Sequence, residues 1–187
     1  MPEFNFFGYK LSVKRLIILS VVAAVYVAVT IACGSLSYAN IQFRISEALV
    51  LLCFYKKAYC VSMVIGCFIA NIASTVGLVD MIVGTFATLV AVLGIAVCSA
   101  VLPNAFERAG MSKKTAHAVS LVIASLCPVA ANAVIVGFEL YIFLDLPLVL
   151  SMLQVGAGEL VCVTVLGSAL FLCLEKNKQF MALVKSV

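Results

Sequence analysis

Residues 16–36 read LIILSVVAAVYVAVTIACGSL, an apolar run that contains no charged side chain. A transmembrane helix needs about 20 predominantly apolar residues, so this run is long enough to cross a bilayer. Lys10, Lys14 and Arg15 precede it, as basic residues precede the core of a signal peptide. The apolar core of a signal peptide is shorter, however, and further hydrophobic segments follow here. The run is therefore predicted to be the first transmembrane helix.

The whole chain has the composition of an integral membrane protein. Of its 187 residues, 65% are hydrophobic and 11% are charged, whereas a soluble domain is roughly 45–50% apolar and 25% charged. The mean hydropathy is +1.25. This composition excludes a soluble enzyme, a nucleic-acid-binding protein and a disordered chain. Because no room is left for a second, soluble domain, residues 1–187 are expected to form a single transmembrane domain.

Further apolar segments follow the first one, and turn-forming residues such as Gly77, Asp80 and Pro103 separate them. The first of these segments, EALVLLCFY, is too short to cross the membrane alone. It is expected to be a short or tilted helix or a re-entrant piece. The segments cover residues 47–55, 58–76, 82–102, 116–138 and 147–173.

The basic residues indicate how these segments are oriented. If the chain crosses six times from a cytoplasmic N-terminus, all of the 12 Lys and Arg residues except Arg44 lie on the cytoplasmic side. That distribution obeys the positive-inside rule. If segment 47–55 did not cross, Arg108, Lys113 and Lys114 would lie outside. The predicted fold is an all-α integral membrane protein with six transmembrane helices and both termini in the cytoplasm.

A few polar residues lie within or beside the apolar segments, nearly all of them in the predicted outer half of the membrane. A charge in the bilayer costs at least about 2.5–3.5 kcal/mol, so such residues usually face a cavity or a partner. An ion path needs polar groups through the full thickness, whereas an outward-opening ligand pocket needs them on one side only. The predicted substrate-binding residues are Arg44, Glu47, Asn71, Asn132, Glu139, Gln154 and Glu159, with Tyr38 and Phe43 as aromatic walls.

Most of these candidates also have a structural interpretation. Arg44 and Glu47 are three residues apart and could form a salt bridge that caps a helix. Glu139 could be solvated at the interface, the asparagines could hydrogen-bond between helices, and the aromatic residues could belong to an interfacial belt. Asp80 is expected to be a loop or cap residue. Glu159 is hardest to explain structurally, because the Gly-Ala-Gly sequence before it lets a ligand or another backbone approach closely.

Small side chains recur every four residues along the first segment, at Ser20, Ala24, Ala28 and Ala32. A stripe of this kind allows another helix to pack very close to the backbone. It is suited either to packing within the chain or to docking of a separate membrane subunit. The pattern alone leaves both interpretations open.

No sequence pattern for catalysis, metal binding or ATP binding is present. The eight cysteines include no CxxC pair, and in apolar runs free Cys behaves as a small hydrophobic residue. His117 is the only histidine and cannot build a metal site alone. The chain lacks a GxxxxGK[ST] motif and a recognisable nucleophile–base set. No catalytic residue, metal or cofactor is therefore predicted, and a membrane enzyme is disfavoured.

Four stretches of the sequence resemble the QueT family, whose members are substrate-binding S components of energy-coupling factor (ECF) transporters. They are IQFRISEAL (41–49), IGCFIANIAS (65–74), GLVDMIVGTFATLVA (77–91) and VGAGELV (155–161). The resemblance covers nearly the whole chain in the same order. One departure is Ala39-Asn40, where the family leads us to expect a Gly-Pro-like turn.

The resemblance implies a six-helix S component that binds a micronutrient near the outer surface, beneath loops that act as a lid. It also implies docking through the small-residue stripe onto a transmembrane coupling protein that two ATPase subunits drive. The expected partners are thus these subunits, the bilayer and a small molecule, and not a nucleic acid. The Ser20–Ala32 stripe matches the expected docking motif.

The family name implies a queuosine precursor as the ligand, specifically 7-aminomethyl-7-deazaguanine. Its guanine-like donor edge and cationic aminomethyl group suit carboxylates, and asparagines can address its carbonyl and ring nitrogens. Our hypothesis assigns Glu159 to the donor edge and Glu47 to the ammonium, or the reverse. The alternatives are an S component for cobalamin or another vitamin, and a stand-alone ion-coupled carrier with Glu159 as its proton site.

Overall fold

The computed structural model describes residues 3–6, 9–34, 44–74 and 77–187. The described chain is predominantly helical. We number the helices α1 (Val13–Ala32), α2 (Ile45–Tyr55), α3 (Tyr59–Ala73), α4 (Leu78–Arg108), α5 (Lys113–Leu144), α6 (Leu148–Leu174) and α7 (Lys178–Lys185).

The first six helices match the six predicted apolar segments in order. Helices α1, α4, α5 and α6 are each long and apolar enough to cross a membrane, whereas α2 and α3 are shorter. The prediction of a helical membrane protein is therefore confirmed. The number of crossings and the side on which the termini lie stay predictions.

A short β-hairpin precedes α1, and the sequence analysis did not predict it. Strand β1 (Glu3–Phe6) pairs antiparallel with β2 (Tyr9–Ser12), so that Glu3 lies opposite Ser12 and Phe6 opposite Tyr9. Each strand has four residues, which is too short for a clear alternating pattern in a mixed segment.

Helix α2 is stretched, and this explains how so short a segment reaches through the bundle. Residues Ile45–Leu51 form a 3₁₀-helix, and only Leu52–Tyr55 are α-helical. A 3₁₀-helix rises about 2.0 Å per residue instead of 1.5 Å, so α2 covers roughly 20 Å. Its residues Val50, Leu51 and Cys53 are fully buried. Helix α2 therefore runs through the centre of the bundle rather than along its surface.

The other helices surround α2 and pack on helices that are near them in the sequence. Helix α1 packs on α3, α4 packs on α5, and α5 packs on α6. Apolar side chains such as Leu78, Ile82 and Val149 are 69–75% exposed, as expected where the solvent is lipid. Helix α6 changes to π-helical geometry over Leu160–Gly167, directly after Glu159. Such π segments occur frequently at functional sites.

Candidate ligand-binding site

The structure buries most of the predicted ligand-binding residues at one end of the bundle. Tyr38 and Phe43 lie outside the described residues, and Gln154 is half-buried on α6. The buried ones are Arg44, Glu47, Asn71, Asn132, Glu139 and Glu159. They lie where α2 and α4 begin and α3 ends, and on the facing parts of α5 and α6.

Arg44 forms an ion pair with Asp80 rather than the salt bridge with Glu47 that was considered as an alternative to a ligand role. Its Nη2 lies 3.5 Å from Oδ1 and 3.4 Å from Oδ2 of Asp80. Asp80 does lie in the first turn of α4, as expected of a cap residue, but its side chain is buried. Sequence reasoning therefore missed its role. Residue spacing favoured Glu47 because it compares only neighbours along the chain, whereas Asp80 comes from another helix.

Asn71 and Gly84 complete the surroundings of Asp80. The Asn71 side-chain amide donates to the backbone carbonyl oxygen of Asp80 at 3.0 Å. A Cβ atom at Gly84 would lie 2.6 Å from Asn71 Nδ2 and 2.8 Å from Asp80 Oδ1. A larger residue at position 84 would displace both polar groups, so glycine preserves their arrangement. The amide oxygen of Asn71 is left without a partner among the described residues.

Glu47 is held by a tyrosine of α1 that the sequence analysis did not single out. The Tyr26 hydroxyl donates to Glu47 Oε1, and both side chains are buried. One turn further along α1, Thr30 Oγ1 lies 2.6 Å from Ser46 Oγ. A tyrosine and a threonine within an otherwise apolar run were the available signal. Glu47 Oε2 has no partner in the described part of the chain.

Glu159 and Glu139 are two further buried carboxylates. Asn132 Nδ2 donates to Glu159 Oε1 at 2.8 Å, while Glu159 Oε2 is unpaired among the described residues. Both carboxylate oxygens of Glu139 also lack a hydrogen-bond partner among the described residues. Glu139 is only 3% exposed, which argues against the alternative that it is a solvated interfacial residue.

These side chains form one electrostatically connected cluster. Glu159 interacts with the charges of Glu47 and Arg44, and Glu139 with those of Asp80 and Arg44. Six of the nine buried side-chain atoms that lack a partner among the described residues belong to this cluster. They are Arg44 Nε, Glu47 Oε2, Asn71 Oδ1, Glu139 Oε1, Glu139 Oε2 and Glu159 Oε2.

An unpaired buried polar group costs about 1–3 kcal/mol, and native structures contain few of them. Six such atoms in one cluster therefore indicate a site that a ligand completes. Five of the six are acceptors and one is a donor. A molecule that complements these atoms would be rich in hydrogen-bond donors, and a positive charge on it would suit the carboxylates.

The small-residue stripe lies on the outside of the bundle. Ser20, Ala24, Ala28 and Ala32 are all exposed, so the stripe is not consumed by packing within the described chain. The first three line an open apolar groove of about 580 Å³ between α1 and α3. Helix α1 packs on α3 through Tyr26, which lies against Gly66.

A second polar cluster lies at the end of the bundle opposite to the ligand-binding residues. We call this end the basic end, because Lys56, Lys57 and Lys176 lie there. Glu175 Oε1 accepts from the Tyr55 hydroxyl at 2.6 Å and lies 2.6 Å from His117 Nε2. Among the described residues, no group of three or more His, Cys, Asp or Glu side chains could hold a metal ion.

Comparison with known proteins supplies independent evidence. The family model described as QueT transporter matches residues 16–176. A Lactococcus lactis subsp. cremoris (strain MG1363) protein named queuosine precursor transporter QueT is 43% identical over 77 residues. That alignment covers 40% of this chain and 45% of the relative. No solved structure matches. The family match confirms the resemblance of the sequence motifs.

Proposed function

Since the chain belongs to the QueT transporter family, we propose that it is the S component of an ECF transporter and binds a queuosine precursor. The family consists of transporters rather than enzymes, and the apolar helices make the chain a multi-pass protein of the cell membrane. The observation that carries the proposal is the buried cluster in which five acceptors and one donor have no partner among the described residues.

The ligand we propose is 7-aminomethyl-7-deazaguanine. Its guanine-like edge and its aminomethyl ammonium donate hydrogen bonds, and the cluster offers carboxylate oxygens as acceptors. A hydrogen bond to a charged group contributes roughly 1.5–3 kcal/mol, so two of them determine both identity and orientation. Arg44 Nε is the unpaired donor, and it suits the carbonyl oxygen of the base.

In our assignment, Glu159 and Glu47 bind the donor edge and the ammonium, in one order or the other. Asn132 holds one oxygen of Glu159, and Tyr26 holds one oxygen of Glu47. Each carboxylate is thereby oriented and keeps a single free oxygen for the ligand. Glu139, with both oxygens free, is the third acceptor. Asn71, Asn132 and Gln154 supply the neutral contacts, and Tyr38 and Phe43 the aromatic ones.

The proposed orientation of the chain in the membrane rests on the different side chains at the two ends of the bundle. We place the ligand cluster near the outer surface and the basic end in the cytoplasm, with six crossings of one domain and both termini inside. This arrangement puts the lysines that precede and follow the helices on the side that the positive-inside rule favours.

The stripe on α1 is the proposed docking face for a transmembrane coupling protein that two ATPases drive. Ala24 and Ala28 are exposed and line the groove, so a neighbouring helix can approach them closely. We expect Ala24→Trp to abolish co-purification with the coupling protein and uptake, while ligand binding by the isolated chain stays at the wild-type level. Val21→Trp, which replaces another exposed residue of α1 outside this groove, is the control. Wild-type co-purification of Ala24→Trp would contradict the docking proposal.

The ligand is tested by titrating the purified chain in detergent with 7-aminomethyl-7-deazaguanine and, separately, with cobalamin. Tight binding of the deazapurine alone supports the proposal, and tight binding of cobalamin alone rejects the ligand but keeps the S component. An uptake assay in membrane vesicles distinguishes the S component from a stand-alone ion-coupled carrier. Uptake driven by a gradient without the coupling protein and ATP would reject the S-component mechanism.

A further inference from the structure

A narrow apolar groove on another side of α1 is not used by the ligand site or by the docking stripe. It has a volume of about 190 Å³ and is bounded mainly by α1, α6 and α7, with α2 and Tyr59 of α3 at its floor. Its walls include Ile18, Val22 and Val25 of α1, Leu174 of α6 and Leu183 of α7.

Arg15 precedes Ile18, the first α1 residue of this groove, by about one helical turn. Residues 15, 18, 22 and 25 follow the i, i+3, i+7 spacing of a single helix face, so Arg15 continues the row of groove residues by one turn. Its Nε is buried and has no partner among the described residues. A buried guanidinium nitrogen without a partner calls for an anionic or acceptor group from outside the described chain.

The groove lies toward the basic end of the bundle. It is formed by residues 18–25 of α1, the last turns of α6 and one face of α7, and Lys56 follows α2 directly there. Helix α7 has an amphipathic sequence: Val184 is buried against the bundle, while Lys178 and Lys185 are exposed. An amphipathic helix with lysines on its polar face is suited to the surface of an anionic membrane leaflet.

We propose that an anionic phospholipid binds here, with its phosphate on Arg15 and one acyl chain in the groove. The walls are mostly Ile, Val and Leu side chains, with Tyr59, Phe171 and Phe180 beside them, and such an apolar lining suits a thin flexible chain. The small residues that would let a helix backbone approach lie on the other groove, at Ala24 and Ala28. The charge of Arg15 complements a phosphate and selects an anionic headgroup over a zwitterionic one. This proposal does not depend on the identity of the transported ligand.

The test measures lipid retention by the full chain. The protein is purified from bilayers that contain equal amounts of phosphatidylglycerol and phosphatidylcholine, and native mass spectrometry counts the lipids that stay bound. Wild-type protein should retain phosphatidylglycerol preferentially. Arg15→Gln should reduce that preference about fivefold, because one basic residue near an anionic surface contributes about 1 kcal/mol. Arg15→Lys should keep most of it.

Two controls separate this site from general attraction to basic residues. Lys57→Gln removes an exposed charge at the same end and should leave the preference unchanged. Val22→Trp fills the groove and should abolish retention, whereas Val21→Trp lies outside both grooves and should not. Size-exclusion profiles show whether each variant is folded. If Arg15→Gln is not folded, Arg15→Lys and Val22→Trp still test the proposal.

Three outcomes would overturn the proposal. Arg15→Gln and Lys57→Gln could lower the preference equally, which would indicate general electrostatic attraction. Val22→Trp could retain lipid at the wild-type level, which would place the lipid elsewhere. Finally, glycerol 3-phosphate could displace the phospholipid at equal concentration, which would mean that the acyl chain contributes nothing and the site is only an anion site.

Discussion

Glu159 within α6 and Glu175 just beyond its end are two carboxylates of one helical region in opposite states. Glu159 is 2% exposed, accepts one hydrogen bond from Asn132 and keeps one oxygen unpaired among the described residues. Glu175 is more exposed and receives two contacts of 2.6 Å, from Tyr55 and His117. The less accessible carboxylate is the less satisfied one.

This contrast distinguishes a binding group from a structural group. Glu175 joins the ends of α2, α5 and α6, and its partners belong to the chain itself. Glu159 belongs to a cluster whose remaining partners must come from elsewhere, at a cost of about 1–3 kcal/mol for each unpaired atom in the free protein. In the proposed function, a ligand that satisfies these atoms recovers that cost, so the empty site is expected to lower stability and the filled site to be selective.

The largest effect is expected where a charge inside the ligand cluster loses its partner. Asp80→Ala leaves the buried guanidinium of Arg44 unpaired, and breaking a buried ion pair in this way costs about 3–5 kcal/mol. We expect a strong fall in the melting temperature of the purified protein. Glu107→Ala, at the other end of α4, is the control. An unchanged melting temperature for Asp80→Ala would show that the ion pair does not support the site.

A smaller effect, confined to binding, is expected for the unpaired carboxylates. Glu159→Gln and Glu47→Gln should each weaken ligand binding at least about tenfold, since one charge-assisted hydrogen bond contributes roughly 1.5–3 kcal/mol. The melting temperature of the free protein should stay the same or rise, because a buried unsatisfied charge is removed. Calorimetric titration and thermal unfolding measure the two quantities. Wild-type dissociation constants for both variants would reject the assignment.

The smallest effect is expected at the basic end. Glu175→Gln should lower stability by about 1 kcal/mol, because an amide oxygen in place of Oε1 can still meet both Tyr55 and His117 but carries no charge to strengthen these contacts. Ligand affinity should not change, since Glu175 lies at the opposite end of the bundle from the cluster. The same titration provides the measurement. A tenfold loss of affinity in Glu175→Gln would remove the distinction between the two carboxylates.

Much of the site could be foreseen residue by residue. Polar side chains in apolar segments are rare and costly, so Glu47, Asn71 and Glu159 stood out in the sequence, and all three are buried in the cluster. Asp80, Gly84 and Tyr26 did not stand out. Asp80 lies beside a turn, where such residues are common. Gly84 lies inside an apolar segment and has no polar side chain that marks it, and a tyrosine in a membrane helix needs no special explanation.

Hydropathy by itself determined the class of protein and the approximate limits of six apolar helices, because burial in lipid is decided locally by each segment. Which polar side chains pair with each other was decided only by the tertiary structure. The pairing of Arg44 with Asp80, of Glu47 with Tyr26 and of Glu159 with Asn132 joins residues 21–36 positions apart. A one-dimensional pattern records how polar a residue is, but not which other helix satisfies it. The oxygens left unpaired, on which the proposed function depends, are visible only once every helix is in place.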